Sequence, residues 1–208
     1  MRTENTVFIV DDDAGARDSI AALVHARGLP ARAFRSATEF LDQYDGTEAG
    51  CLVADVRMPD LGGLELQEIL RQRGSNLPII LVTGHADVPM AVRAMRMGAL
   101  TFLEKPCRPE EVWASIEEAL ELAAKQYSSA QELAEIERKL SSLTRQELEV
   151  LEGILSGKPN KAVAAELDVS LRTVELRRAA VLRKMRAESL AEVVRMAVTS
   201  GRFGKGAG

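Results

Sequence analysis

Hydrophobic positions follow two different rhythms along this chain. In the first half, short continuous apolar runs alternate with stretches of helical spacing. Val7-Phe8-Ile9-Val10, Ala31–Phe34, Cys51-Leu52-Val53-Ala54, Ile79-Ile80-Leu81-Val82 and Thr101–Leu103 are each too short for a helix and predict strands. Between them, Ile20, Leu23 and Val24 mark a helix over 14–27 that Gly28 closes. Ser36-Ala37-Thr38-Glu39 is a capping box that opens a second helix, and 64–72 and 88–97 carry two more. Strands that are apolar throughout, separated by helices, predict an α/β doubly wound five-stranded parallel sheet covered on both faces.

From residue 108 onward the strand pattern disappears. Val112, Ile116, Leu120, Ala123, Tyr127, Ala130, Leu133, Ile136 and Leu140 recur close to every 3.5 residues, and no Pro or Gly interrupts 110–152. Pro109 suits the first helical turn. Two readings fit: one continuous helical linker able to pair as a short coiled coil, or a domain helix broken near Ser128-Ser129 and followed by a separate linker helix. Beyond Ser142 everything is helical. Thr144-Arg-Gln-Glu147 and Ser189-Leu-Ala-Glu192 are further capping boxes, 160–167 and 171–184 are helices joined by the turn Asp168-Val169-Ser170, and a last helix covers 190–199. The tail is therefore an all-α four-helix domain, and Gly204–Gly208 reads as a frayed end.

Charge sharpens this division. The 208 residues hold 27 basic and 31 acidic side chains, a net −4 that excludes a basic coating protein. Residues 1–124 have 12 basic and 20 acidic side chains, whereas 141–208 have 12 and 8. An acidic front half and a basic rear suggest two tasks. No apolar run is long enough for a membrane span, MRTENTVFIVDDD does not read as a secretory signal, and two cysteines make no disulfide scaffold. The expectation is a soluble cytoplasmic protein with no membrane partner. No Cys/His spacing suits zinc.

In an open parallel sheet the C-terminal strand ends share one edge, where ligands bind. Here that rule gathers Asp11, Asp12, Asp55, Thr83 and Lys105. Bare carboxylates at one edge repel one another, and all-oxygen ligands favour Mg²⁺ or Mn²⁺. Such a site suits phosphoryl transfer, with Asp55 as nucleophile, Lys105 pairing with the phosphoryl group and Thr83 bonding it. A phosphatase of the haloacid-dehalogenase type needs an acid two residues after the nucleophile. Arg57 stands there, which argues against it.

Residues 5–124 resemble the response regulatory (receiver) domain of bacterial response regulators. V-D-D-D, V-A-D-V-R-M-P-D-L-G-G, V-T-G-H-A-D-V-P-M-A-V-R-A-M-R-M-G-A and F-L-E-K-P carry the likeness. The resemblance implies the flavodoxin-like receiver fold and phosphorylation of Asp55 by a sensor histidine kinase. It further implies metal held by Asp12, Asp55 and the Arg57 backbone carbonyl, with Asp11 through water. Thr83 and Phe102 match the switch pair, and Lys105 the family's lysine. Cys107 departs from the pattern, since an aromatic often follows K-P.

The pair 160–167 and 171–184 has helix-turn-helix proportions, and 171–186 holds six basic residues against Glu175. A helix this basic can enter a major groove, and no stacking aromatics flank it to favour RNA. Residues 142–204 resemble a LuxR-type helix-turn-helix DNA-binding domain through L-T-x-x-E-x-x-V-L, G-x-x-N-K-x-V-A-x-E-L-x-V-S-x-R-T-V-E and R-x-x-V-L-x-K-M. Residues 125–141 are then a helical linker. The whole chain resembles the NarL/FixJ family of response regulators. The resemblance implies double-stranded DNA contacts by Lys161, Arg172, Thr173, Glu175, Arg177, Arg178 and Lys184. Position 177 is usually His, and Ala180 replaces a frequent Asn. The resemblance thus implies a two-component transcriptional regulator, not an enzyme beyond its own phosphorylation and dephosphorylation. It would homodimerise on phosphorylation and engage RNA polymerase if an activator. The alternative is a receiver acting as a protein-interaction module without phosphate.

Overall fold

A computed structural model of the chain describes residues 5–203, so the end at Gly204–Gly208 lies outside the described residues. It divides into two compact units between Ser128 and Ser129. The first holds β1 (Thr6–Val10), α1 (Ala14–Ala26), β2 (Ala31–Phe34), α2 (Ala37–Gln43), β3 (Gly50–Asp55), α3 (Gly63–Gln72), β4 (Ile79–Thr83), α4 (Val88–Arg96), β5 (Thr101–Glu104) and the start of α5 (Pro109–Ser141). All five expected strands form, pair in parallel and lie in the order β2-β1-β3-β4-β5. Observed ends differ from the sequence reading by a residue or two, as fraying helix turns and strand ends do.

Successive residues of a strand face opposite sides, and the core divides accordingly. Phe8, Val10, Leu52, Ala54 and Leu81 pack with Phe40, Leu66, Leu70 and Ala94 from α2, α3 and α4. Val7, Ile9, Val53, Ile80 and Val82 pack with Val24 of α1 and Val112 and Ile116 of α5. Each buried side chain of this size contributes about 1.5–3 kcal/mol, which is why uninterrupted apolar strands mark the interior. Of the capping boxes, Thr144 and Glu147 form the reciprocal pair. Ser36 and Ser189 accept from the Glu39 and Glu192 amides. Those two glutamates instead accept from the preceding amides, of Arg35 and Glu188.

The two readings of 108–140 resolve to one helix, α5, running through Ser128-Ser129. Serine costs a helix only about 0.5 kcal/mol relative to alanine, and there is no Gly or Pro to stop it. Residues expected to be linker enter the second unit's core: Ile136 and Leu140 are buried with Leu143, Leu151, Val181, Met185 and Val193. Around them stand α6 (Arg145–Leu155), α7 (Asn160–Glu166), α8 (Leu171–Met185) and α9 (Leu190–Thr199). A smaller cluster of Val150, Val163, Ala164 and Val174 joins α6, α7 and α8. A Cβ on Gly153 would stand 2.7 Å from a Val163 methyl, so glycine permits the α6–α7 approach.

Candidate functional site

Strand order reverses direction between β1 and β3, and the crevice at their C-terminal ends is where this topology places ligands. Asp11 follows β1 and Asp55 ends β3; both are buried. Lys105, just past β5, reaches across. Its Nζ lies 2.6 Å from Asp11 Oδ2 and 2.7 Å from Asp55 Oδ1. The Lys105 side chain is 28% exposed, against 3% for Asp11 and 7% for Asp55, so this is a pocket open on the lysine side.

Backbone groups hold the carboxylates in place. The Arg57 amide donates to Asp55 Oδ2 at 2.6 Å, and the Asp13 amide to Asp11 Oδ1 at 2.9 Å. Arg17 donates to the Asp11 carbonyl at 2.6 Å, a support that sequence reasoning missed. Asp13 caps α1 through the Ala16 amide, which separates it from the pocket it adjoins in sequence. Burial pushes the Asp55 carboxyl up; Lys105 and the Arg57 amide oppose this, and the Asp11 charge adds to it. Burial alone would depress the Lys105 ammonium, but its hydrogen bonds and charge contacts with Asp11 and Asp55 together hold it above its ordinary value.

Asp12 is exposed beside this pair. Among the described residues, no three His, Cys, Asp or Glu side chains converge into a metal-holding group. The residues nevertheless fit a hydrated hard cation. Two buried carboxylates share a single ammonium, leaving unbalanced negative charge, and Mg²⁺ takes one or two carboxylates while keeping several waters. Thr83 is fully buried at the end of β4, its Oγ1 accepting from the His85 amide at 3.3 Å. Phe102 is half-buried and packs against the α2–α3–α4 side of the core. Asp11, Asp55 and Lys105 thus meet directly, and Asp12, Thr83 and Arg57 belong to the same edge, while Phe102 lies within β5 opposite Leu81, two residues short of that edge.

In the second unit, Ser170 caps α8 by accepting from the Thr173 amide, and the two hydroxyls lie 2.8 Å apart. The preceding turn bends at Asp168, whose φ of 51° is left-handed. Lys161, Arg172 and Glu175 are exposed, and Thr173, Arg177 and Arg178 half-buried. Two of the basic groups are engaged inside the unit. Arg178 donates to Asn160 Oδ1 at the start of α7. Lys184 donates to Glu147 Oε2 at 2.6 Å and to the Ser142 carbonyl at 3.1 Å. Asn160 was not singled out by sequence reasoning, although it lies in the N-K-x-V-A segment. Leu176, 62% exposed on α8, was missed too.

A buried acidic pair closed by lysine at a parallel-sheet edge, with a basic helix-turn-helix in the second unit, defines a signal-receiving regulator. The response regulator receiver domain family matches residues 7–117, and the luxR family of bacterial regulatory proteins matches residues 141–197. The transcriptional regulatory protein FixJ of Bradyrhizobium diazoefficiens is 44% identical over 97% of this chain and 98% of its own. The response regulator protein TodT of Pseudomonas putida is 40% identical over 92% and 85%. Among solved structures, the response regulator StyR matches with a TM-score of 0.87 at 37% identity, covering 94% of this chain and 98% of that one. Full-length FixJ from B. japonicum matches at 0.58 and 42% identity, covering 96% and 98%. The chain belongs to the two-component response regulators that join a receiver to a LuxR-type DNA-binding domain, and it is FixJ-like. Its homologues are transcriptional regulators. No helix among the described residues is long and apolar enough to cross a membrane.

Proposed function

We propose that this regulator binds double-stranded DNA under control of phosphorylation at Asp55. The carrying observation is the Lys105 ammonium held between Asp11 and Asp55 at the β1–β3 crevice. A sensor histidine kinase is the phosphoryl donor. An Asp55 carboxylate oxygen forms the new bond to phosphorus while the kinase's phosphohistidine nitrogen–phosphorus bond breaks. Asp12, Asp55 and the Arg57 carbonyl, with Asp11 through water, are the groups that would hold Mg²⁺ or Mn²⁺, which when bound supplies positive charge against the phosphoryl oxygens. Lys105 then exchanges its Asp55 contact for a phosphoryl oxygen. The buried Thr83 hydroxyl turns from the His85 amide to the same group, and Phe102 fills the space vacated. A phosphoryl group that contacts Lys105 and Thr83 better in one arrangement than another shifts the population between them.

The shifted state homodimerises and binds DNA through α8, with Arg172, Thr173, Glu175, Arg177 and Arg178 as contacts and Lys161 of α7 beside them. Lys184 is assigned first to Glu147 and only secondarily to phosphate. DNA binding places the protein in the cytoplasm, and RNA polymerase is its further partner if it activates. The domain limits proposed are 5–124, 125–141 and 142–204, with the linker's last turns doubling as core. The test is sedimentation and DNA mobility shift with Mg²⁺ and beryllofluoride. Dimer content and DNA affinity should rise in the native chain and stay flat in Asp55→Asn. An equal response in Asp55→Asn overturns the proposal in favour of a receiver working by protein contact alone.

A further inference from the structure

Leu176 is the most exposed of the large apolar side chains of α8, at 62%. A leucine scattered alone on a surface is ordinary and needs no account. The position of this one is what gives it meaning. At about 100° per residue, Leu176 falls within about 60° of Arg172, Ala179 and Arg183, all of them exposed. That arc lies opposite Val174, Val181 and Met185, which are fully buried. The outermost face of α8 therefore runs arginine, leucine, alanine, arginine. Glu175 borders it, and Arg177 and Arg178 lie to its sides, half-buried, with Arg178 bonded to Asn160.

This order fits the major groove of a DNA duplex. Arg172 and Arg183 stand about 16.5 Å apart along the axis, and each can neutralise a phosphate at its own end of the face. Between them no side chain of the face carries a hydrogen-bonding group. Base edges in the major groove differ in donors, in acceptors and in the thymine 5-methyl group. An arginine or lysine at the middle of the face would select guanine, and an asparagine or glutamine adenine. Leucine and alanine can favour the methyl alone. A protein partner fits less well, because interfaces take about 800 Å² from each side and Leu176 with Ala179 offers a small fraction of that.

We propose that Leu176 is a specificity-determining residue of the second unit. With Ala179 beside it, its side chain packs on thymine 5-methyl groups, so the preferred half-site carries thymine opposite the middle of α8. The inference rests on the DNA-binding reading above and names the base that this helix recognises.

The test first selects a site for the full-length protein from random duplexes, with and without Mg²⁺ and beryllofluoride. Affinity for that site is then measured by fluorescence anisotropy with each thymine replaced in turn by uracil, which removes the methyl and keeps the pairing. Burying one methyl is worth about fourfold in affinity. Uracil at one or two positions of each half-site should weaken binding about fourfold apiece. Leu176→Ala should bring the thymine-to-uracil ratio at those positions to about one, whereas Leu176→Met, which keeps an apolar chain of similar length, should preserve it. Equal affinity of the native protein for both forms at every position overturns this inference alone. So does a thymine preference that survives Leu176→Ala unchanged. Failure to select any duplex in either state overturns the DNA-binding reading and this inference with it.

Discussion

At the sheet edge, Asp11 and Asp55 are buried and share one ammonium that lies 94 and 50 residues away in sequence, whereas on α8 the exposed Arg172 and Glu175 come from a single helical segment. The receiver's chemistry exists only because a sheet topology brings three strand ends together. The output helix carries its chemistry locally, and the fold's task there is to choose which basic groups face outward. A change at the first site should therefore act all or none, and changes along α8 should act by degrees.

The largest effect expected is from Lys105→Met. With the ammonium gone, two buried carboxylates face an incoming phosphoryl group without its nearest cation. Loss of one charged donor at such a centre typically costs on the order of 10²–10³ in rate. Phosphoryl incorporation from acetyl phosphate with Mg²⁺, read on a phosphate-retarding gel, should slow by about 10²-fold or more. Incorporation at the native rate would dissolve the contrast, because the convergence of strand ends would then be incidental.

On α8, Arg177→Ala should weaken binding to the selected DNA site by about 1–3 kcal/mol if it reads a base, and relax preference at one position. Asn160→Ala sharpens the comparison. Asn160 is not among the DNA contacts the sequence implies, yet it holds Arg178. Affinity in a mobility-shift titration should fall nearly as far as with Arg178→Ala, and the double variant should be less than additive. Full additivity would mean that Arg178 acts without the Asn160 contact.

How much of this the sequence discloses depends on the same contrast. Uninterrupted apolar strands spell out the sheet, and the rule that ligands sit at strand C-termini needs only the strand ends, so Asp11, Asp55, Thr83 and Lys105 were legible. The metal ligands are an expectation from resemblance alone, and the exposure of Asp12 and the capping role of Asp13 were not legible, because adjacent acids look alike in a sequence. Along α8 a signal existed and was passed over. At about 100° per residue, Val174, Val181 and Met185 share one side, Arg178 lies near that side, and Arg172 and Arg183 lie opposite. The resemblance put Lys184 among the DNA contacts beside Arg172. Its partner Glu147, 37 residues earlier, becomes visible only when α6 and α8 pack.

Glu147 supplies a prediction of intermediate size. It closes the Thr144 capping box and bonds Lys184 with the same oxygen. Burial raises its carboxyl, but Lys184 and the Thr144 groups outweigh that and hold it below the usual glutamate range. A depressed folded-state value means the stabilisation is complete above the ordinary carboxylate pKa and is lost as pH falls through the depressed one. Glu147→Gln should cost about 1–2 kcal/mol at neutral pH, the scale of one charged hydrogen bond. It should also flatten the acid dependence of amide-exchange protection in α6 and α8. Lys184→Ala should show a similar loss in protection, with little change in the salt dependence of DNA binding. A drop in the salt slope of about one unit would instead make Lys184 a phosphate contact.

The smallest effect concerns the turn that sets α8 against α7. Asp168 adopts a left-handed φ of 51°, a conformation that Asp and Asn tolerate and β-branched residues do not. The side chain is exposed, so backbone preference is the main quantity that a substitution changes. Asp168→Gly removes the Cβ penalty while adding unfolded-state freedom, and these offset to within about 0.5 kcal/mol. Asp168→Val should cost about 1–2 kcal/mol, because the strain is paid without relief. Denaturation of the two variants measures the difference. If Val were as stable as Gly, the left-handed turn would not be what holds α8 in register, and the capping of α8 by Ser170 would carry that role alone.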